Sequence, residues 1–225
     1  MARNPDRRSP ACNRVTPFGD IEAFALRGAY TGNRGILHSG REVVRFHQHD
    51  SWVTCSLTFN DRWSEQWLPH RFTWLYFYDE ALSFAAGHRP CGECRRADYK
   101  RYQAAWADAF GGEPPSGREM NRRLHSERIV RGTHRRRLHN AAADGLPDGA
   151  FIELDGAPCV IVGSEAVEWT RAGYRTRRPR PSGAVTVITP PSTLGVLRAG
   201  YPVEIHPSAL DAAAAAGADR QTGRG

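Results

Sequence analysis

Residues 76–98 read YFYDEALSFAAGHRPCGECRRAD, and the fold is read outward from them. Cys91 and Cys94 form a Cys-x-x-Cys that follows Pro90 and opens an expected helix. A tight turn brings two such sulfurs into one small space, so a metal ion can be gripped from one side. Nothing around the pair resembles the βαβ setting of a redox Cys-x-x-Cys. Zinc is therefore the expected occupant. Upstream, Asp79 is the expected N-cap of a short helix from Glu80 to Ala86, and Gly87 stops it at the C′ position. Further back, residues 72–77 (FTWLYF) read as an aromatic strand. Residues 52–59 (WVTCSLTF) alternate as a β-branched strand with Cys55 inside it.

The outer regions follow from turn and periodicity signals. Gly32-Asn33-Arg34-Gly35 reads as a tight turn, and residues 36–38 and 43–46 as a hairpin about Ser39-Gly40. A second helix is expected from about Arg95 to Phe110, with Tyr99, Tyr102 and Trp106 on a core-facing side. Residues 111–117 (GGEPPSG) are the clearest linker. The basic stretch 118–139 suits a helix broken near Gly132. Beyond it, residues 151–154 and 159–162 flank Asp155-Gly156-Ala157 as a hairpin. Residues 167–169 suggest a strand, 175–180 (RTRRPR) an exposed basic loop and 184–189 a strand. A short helix over 193–199 and a last strand over 203–206 follow. The expectation is an α+β protein. Residues 1–14 form a disordered leader, 15–110 a zinc-binding lobe and 111–117 a linker. Residues 118–210 carry the basic helical segment and a small β-rich domain, and 211–225 a flexible tail.

Composition bounds the class. The chain has 225 residues, 40% of them hydrophobic, which is enough for a core. No run of about 18 apolar residues suggests a membrane span. The N-terminal MARNPDRRSP lacks the apolar region of a secretory signal, so the cytoplasm is the expected compartment. Five unevenly spread cysteines do not read as a disulfide framework. The formal charge is +7, and Lys100 is the single lysine, so the excess is arginine. Such a field attracts polyanions, and DNA is the expected partner. Candidate phosphate contacts are Arg122, Arg123, Arg135, Arg136 and Arg137 in the basic stretch, Arg177 and Arg178 in the basic loop, and Arg34 in the Gly32–Gly35 turn.

A closed zinc site takes four ligands, mostly thiolates and imidazoles. Cys91 and Cys94 supply two. Cys55 is the natural third, because its strand is placed to pack beside the knuckle. Cys12 lies in the expected leader, and Cys159 alternates like a core residue. The fourth ligand is expected to be His38 or His49, both placed near the strands around Cys55.

These residues carry a resemblance. Phe77-Tyr78, Glu80-Ala81 and Ala85-Ala86-Gly87-His88-Arg89-Pro90-Cys91-Gly92-Glu93-Cys94 resemble the second half of the Ada-type zinc-binding domain of DNA-repair proteins. Val53-Thr54-Cys55 is similar to that family's first ligand strand. The resemblance covers residues 52–98. It implies a small α+β zinc domain that contacts the DNA backbone, with Cys55 accepting a methyl group from a methylphosphotriester and Cys91 and Cys94 as ligands. The family carries Phe or Tyr where His88 stands, and Cys-x-x-x-Cys where this chain has Cys55 and Phe59.

Other chemistries share parts of the pattern. Pro90-Cys91-x-x-Cys94 is half of the nucleobase-deaminase signature. The required His-x-Glu is missing upstream, and His125-Ser126-Glu127 supplies it only downstream. A zinc-dependent hydrolase would keep one coordination position for water, with Asp79, Glu80 or Glu127 as a base. A purely structural zinc with no nucleic-acid role is the remaining reading.

Overall fold

The Asp79 carboxylate accepts from the Leu82 N–H at 2.7 Å and starts the first helix, α1 (Glu80–Ala85), where the sequence puts it. Six buried residues in a row make α1 a helix enclosed by the rest of the chain. It ends in a Schellman turn. The Gly87 N–H reaches the Phe84 carbonyl and the His88 N–H the Ser83 carbonyl, both at 2.9 Å. Gly87 adopts φ +87, which glycine takes without steric cost. The computed structural model describes residues 10–60 and 65–210.

Two six-stranded sheets surround α1. The first is built from β1 (Cys12–Val15), β2 (Ile21–Ala23), β3 (Tyr30–Asn33), β6 (Val53–Cys55), β7 (Leu75–Phe77) and β8 (Arg89–Pro90). Its order is β2-β1-β7-β3-β6-β8, with β1–β7 and β6–β8 parallel. A hairpin of β4 (His38–Ser39) and β5 (Glu42–Val43) stands apart from it. The second sheet comprises β9 (His139–Ala142), β10 (Phe151–Leu154), β11 (Ala157–Val162), β12 (Glu165–Thr170), β13 (Gly173–Pro179) and β14 (Ala184–Val187). Its order is β13-β12-β11-β10-β14-β9, and all its pairs are antiparallel. The remaining helices are α2 (Arg96–Phe110), α3 (Gly117–Arg128), α4 (Pro191–Arg198) and α5 (Pro207–Leu210).

The mixture of helices and sheets is α+β. The largest apolar cluster joins the two sheets. Val15, Leu75 and Phe77 of the first pack with Phe151, Val160, Val167 and Trp169 of the second, and Ala81, Leu82 and Ala85 of α1 lie among them. Residues 111–116 connect α2 to α3, and a second cluster spans that connection: Tyr102 and Trp106 of α2 pack with Met120 and Leu124 of α3 and Val196 of α4.

Four expectations need correction. The basic stretch 118–139 is not a helix broken near Gly132: α3 stops at Arg128, Ile129 turns extended and bridges Arg136, and β9 starts at His139. Residues 12–14 are not leader but part of β1, held by pairing to β2 and β7. Residues 175–179 are not a loop but the end of β13, because Arg177 and Arg178 find acids in neighbouring strands and turns. Residues 203–206 form no strand, since their backbone goes to α1 instead. The Ala81 N–H reaches the Glu204 carbonyl at 3.1 Å, and the His206 N–H reaches Asp79 at 2.9 Å. Residues 1–9 of the expected leader and the expected tail, 211–225, lie outside the described residues.

Candidate metal centre

Cys55 ends β6, between β3 and β8. Its partner across β3 is Thr31, and the neighbouring Thr54 pairs with Pro90 in parallel register. The ladder continues one residue further, where the Cys91 N–H reaches the Thr54 carbonyl at 2.9 Å. Sheet pairing thus delivers Cys91 to the side of Cys55. Residues 91–94 then turn, and α2 leaves after Arg95. Within the turn the Glu93 N–H points at the Cys91 sulfur, 3.5 Å away.

The outcome is a cluster in which the sulfurs of Cys55, Cys91 and Cys94 all lie within 4.8 Å of one another. Ligands about 2.3 Å from a tetrahedral zinc sit roughly 3.8 Å apart, so the donor set fits three of the four positions around such an ion. Without a metal the thiols share their first charge unequally. Cys55 and then Cys94 donate to Cys91 and hold its pKa low, while the contacts of Cys55 with Cys91 and Cys94, and then burial, push Cys55 up. A divalent cation would allow all three to ionise together.

The flanking basic residues brace this knuckle. Arg95 places Nη2 2.6 Å from Glu80 Oε1 and Nε 2.8 Å from Asp98 Oδ2. Glu80 also accepts from the Tyr201 hydroxyl at 2.8 Å and the Glu204 N–H at 3.0 Å. Arg89 donates to Asn121 of α3 at 2.8 Å and to the Pro90 carbonyl at 2.9 Å. All three cysteines line a cleft of about 540 Å³. Its other walls include Leu57, Phe59, Leu68, Arg71, Phe72 and Trp74.

Neither expected fourth ligand joins the cluster among the described residues. His38 is buried with both ring nitrogens engaged. The Thr73 hydroxyl donates to Nδ1 at 2.6 Å, and Nε2 donates to the Leu68 carbonyl at 3.3 Å. His49 is exposed and lines a groove shared with Cys91, but its nitrogens stay outside the set. Of the bases expected for a hydrolase, Asp79 caps α1, and Glu80 is taken up by Arg95, Tyr201 and the Glu204 N–H. Glu127 accepts from Ser192 and Arg123 rather than facing the cysteines. The downstream His125-Ser126-Glu127 likewise contributes nothing to the three-cysteine set.

Several arginines assigned to phosphates are engaged elsewhere. Arg34 is fully buried, donates to His88 Nε2 at 3.2 Å and to the Gly19 carbonyl at 2.9 Å, and so presents nothing to a surface ligand. Arg136 donates to the carbonyls of Arg128 and Ala85. Arg177 pairs with Glu165 and the Ala209 carbonyl, and Arg178 with Asp155 at 2.7 Å. Arg123 is exposed but bonds Glu127 at 3.2 Å and lies 4.1 Å over the Phe110 ring. Arg122, Arg135 and Arg137 remain exposed, and their side chains have no ion pair among the described residues.

The sequence gives no direct notice of a buried cationic stack beside the centre. Arg34 and Arg128 lie 4.1 and 4.0 Å from the Trp52 ring centroid, and both are sealed from solvent. Arg128 donates to the Gly87 carbonyl at 2.7 Å and to the Asp50 carbonyl. His88 packs on Trp52 and Phe77, with ring centroids 5.3 and 4.6 Å away. Burial, and then Arg34 and Arg128, hold His88 well below the usual histidine range. It is therefore neutral. Because Nε2 accepts from Arg34, its proton sits on Nδ1. One signal was available in α3: Arg128 follows Met120 and Leu124 at intervals of four, where the apolar period calls for a core residue.

No helix among the described residues is long and apolar enough to cross a membrane. No protein-family model matches this chain, and no curated protein or solved structure matches it.

Proposed function

We propose that the chain is a zinc-binding, DNA-associated protein whose metal is held by Cys55, Cys91 and Cys94. The observation that carries the reading is the convergence of three sulfurs from two separate chain segments within 4.8 Å. Thiols buried for packing alone have no reason to face one another so closely, whereas thiolates on a cation do. The cleft beside the cysteines supports a site that meets a ligand. Exposed Arg122, Arg135 and Arg137 support phosphate contacts.

Damage recognition or repair is the role we assign to this arrangement. Thiolate held on zinc stays deprotonated and nucleophilic. Cys55 is the assigned methyl acceptor: an S–C bond forms as the methyl–oxygen bond of a phosphotriester breaks, and a phosphodiester anion leaves. A second reading has its own support. Glu93 lines the same cleft, which suits water activation by a zinc hydrolase acting on nucleic acid.

Elemental analysis of the purified chain tests the metal, with about one zinc per chain expected and loss in Cys91→Ser. Metal-free folded protein would end the reading. Mass spectrometry after incubation with methylated DNA separates the two chemistries. A methyl adduct on Cys55 supports acceptance, and strand cleavage with unmodified Cys55 supports hydrolysis.

A further inference from the structure

A second cavity, about 580 Å³, opens at the C-terminal end of α3. Three histidines and three arginines line it: His47, His125 and His134, with Arg122, Arg131 and Arg137. The His47 ring centroid is 5.1 Å from that of His125 and 5.7 Å from that of His134. No carboxylate lines the cavity, and its three arginine side chains have no ion pair among the described residues. Glu127, on the same helix, is turned away to Arg123 and Ser192. Asp50 is the carboxylate whose field reaches both His125 and Arg128, and it makes no ion pair with either among the described residues.

The cavity wall is backed by more positive charge. Arg128 is fully buried, with Nη2 3.3 Å from His125 Nδ1. Its Nε has no hydrogen-bond partner, and neither has Nη2 of Arg34 on the same Trp52 ring. Glu119 acts on Arg122 only through its field, as Asp50 does on Arg128. So many guanidinium groups with no carboxylate paired to them repel one another, and a bound anion would relieve that repulsion. A cation does not suit the place. The imidazole nitrogens do not form a ligand cluster, and guanidinium groups ring them. Arginine forks match the oxygens of phosphate, and the imidazoles add N–H donors. The volume lies within the range of about 300–1,000 Å³ typical of small-ligand sites.

We infer that this cavity binds a phosphomonoester, with Arg122, Arg131 and Arg137 on the phosphate oxygens and His47, His125 and His134 as donors beside them. The phosphate can belong to the end of a nucleic-acid strand or to a small phosphoester. The inference deepens the nucleic-acid part of the proposed function and does not depend on the zinc.

Titration calorimetry on the purified full chain tests it. The probes are inorganic phosphate, a 5′-phosphorylated thymidine tetranucleotide and the same tetranucleotide with a 5′-hydroxyl. The phosphorylated strand is expected to bind about tenfold tighter than the hydroxyl form, with inorganic phosphate competing. The double variant R122Q/R137Q replaces two exposed residues. It is expected to lose that preference and to flatten the slope of log affinity against log salt by about 1.4. Its zinc content and circular dichroism are expected to stay as in the parent, and R41Q is the unaffected control. If phosphate binds in an arginine-dependent way but the two tetranucleotides bind alike, the cavity serves a small phosphoester. In that case the inference holds while the nucleic-acid reading fails here. Absence of phosphate binding, or equal binding by R122Q/R137Q, overturns the inference.

Discussion

Replacing Glu80 by alanine is the sharpest test of how the cysteine knuckle is anchored. The Glu80 and Arg95 side chains are 1% and 4% exposed, so solvent screens neither. One carboxylate oxygen takes Arg95 and Tyr201, and the other takes the Glu204 N–H. Alanine leaves a guanidinium sealed away from its main counterion. Breaking a buried pair in this way costs about 3–5 kcal/mol. The Tyr201 hydroxyl and the Glu204 N–H lose their acceptor too, at about 1–3 kcal/mol each when no water replaces it. Asp98 remains on Arg95 at 2.8 Å and offsets part of the loss. The expected net cost is therefore about 4 kcal/mol, which lowers the thermal midpoint of a chain this size by roughly 8–16 °C. Glu80→Gln keeps the shape and one acceptor, and is expected to cost about 2 kcal/mol. Urea unfolding followed by tryptophan fluorescence, at fixed free zinc, measures both. A loss below about 1 kcal/mol for Glu80→Ala would show that the pair is not the anchor described here.

Other consequences can be checked on the same footing. A Cβ at Gly32 would lie 2.1 Å from the Val53 carbonyl oxygen, so Gly32→Ala must push β3 off β6. It is expected to cost about 1–3 kcal/mol and to speed zinc loss to a chelator, because Cys55 moves with β6; retention at the parental rate would refute the link. Trp52→Ala removes the ring between two buried arginines, at about 3–5 kcal/mol for the cavity alone, and a chemical-denaturation loss smaller than that of Trp52→Phe would contradict the stack. Burial, with His125 and His134 next, holds His47 down at about 4 against 6.5 for a free side chain. Its stabilising contribution is complete above pH 6.5 and disappears as pH falls toward 4. The stability difference between parent and His47→Gln should shrink over that window in urea titrations, and a constant difference would exclude the effect. Zinc bound by Cys55, Cys91 and Cys94 would compete with protons, so affinity in a chelator competition should fall steadily as pH drops; a flat profile would argue for other ligands.

Local signals in the sequence were strong around the knuckle. The Asp79 cap, the Gly87 stop, the helix ending at Phe110 and the hairpin about Asp155-Gly156 each follow from neighbouring residues, and each is present. Cys55 could be paired with Cys91 and Cys94 because a strand beside a knuckle is the usual way to complete a site. What escaped reading depends on distant partners. Whether an arginine meets solvent or the core is set by its three-dimensional neighbours, so Arg34 and Arg122 look alike in sequence and differ completely in burial. His38 stays off the centre for the same reason: Thr73, 35 positions away, claims its ring. The segment 203–206 has the composition of a strand, but two buried carboxylates on α1 offer its backbone a better set of partners.

That last feature bears on how the protein is made. Asp79 and Glu80 lie at the entry to α1, eleven to fifteen positions before the paired cysteines, yet the donors to their oxygens include Tyr174, Tyr201, Glu204 and His206. A nascent chain emerging from the ribosome would carry every thiol of the centre long before these partners exist. Contacts separated by more than 120 positions close slowly, because the intervening loop must first be ordered. The centre is therefore expected to mature only after synthesis has passed residue 206, and a fragment cut at residue 110 would lack the later partners that cover these two carboxylates.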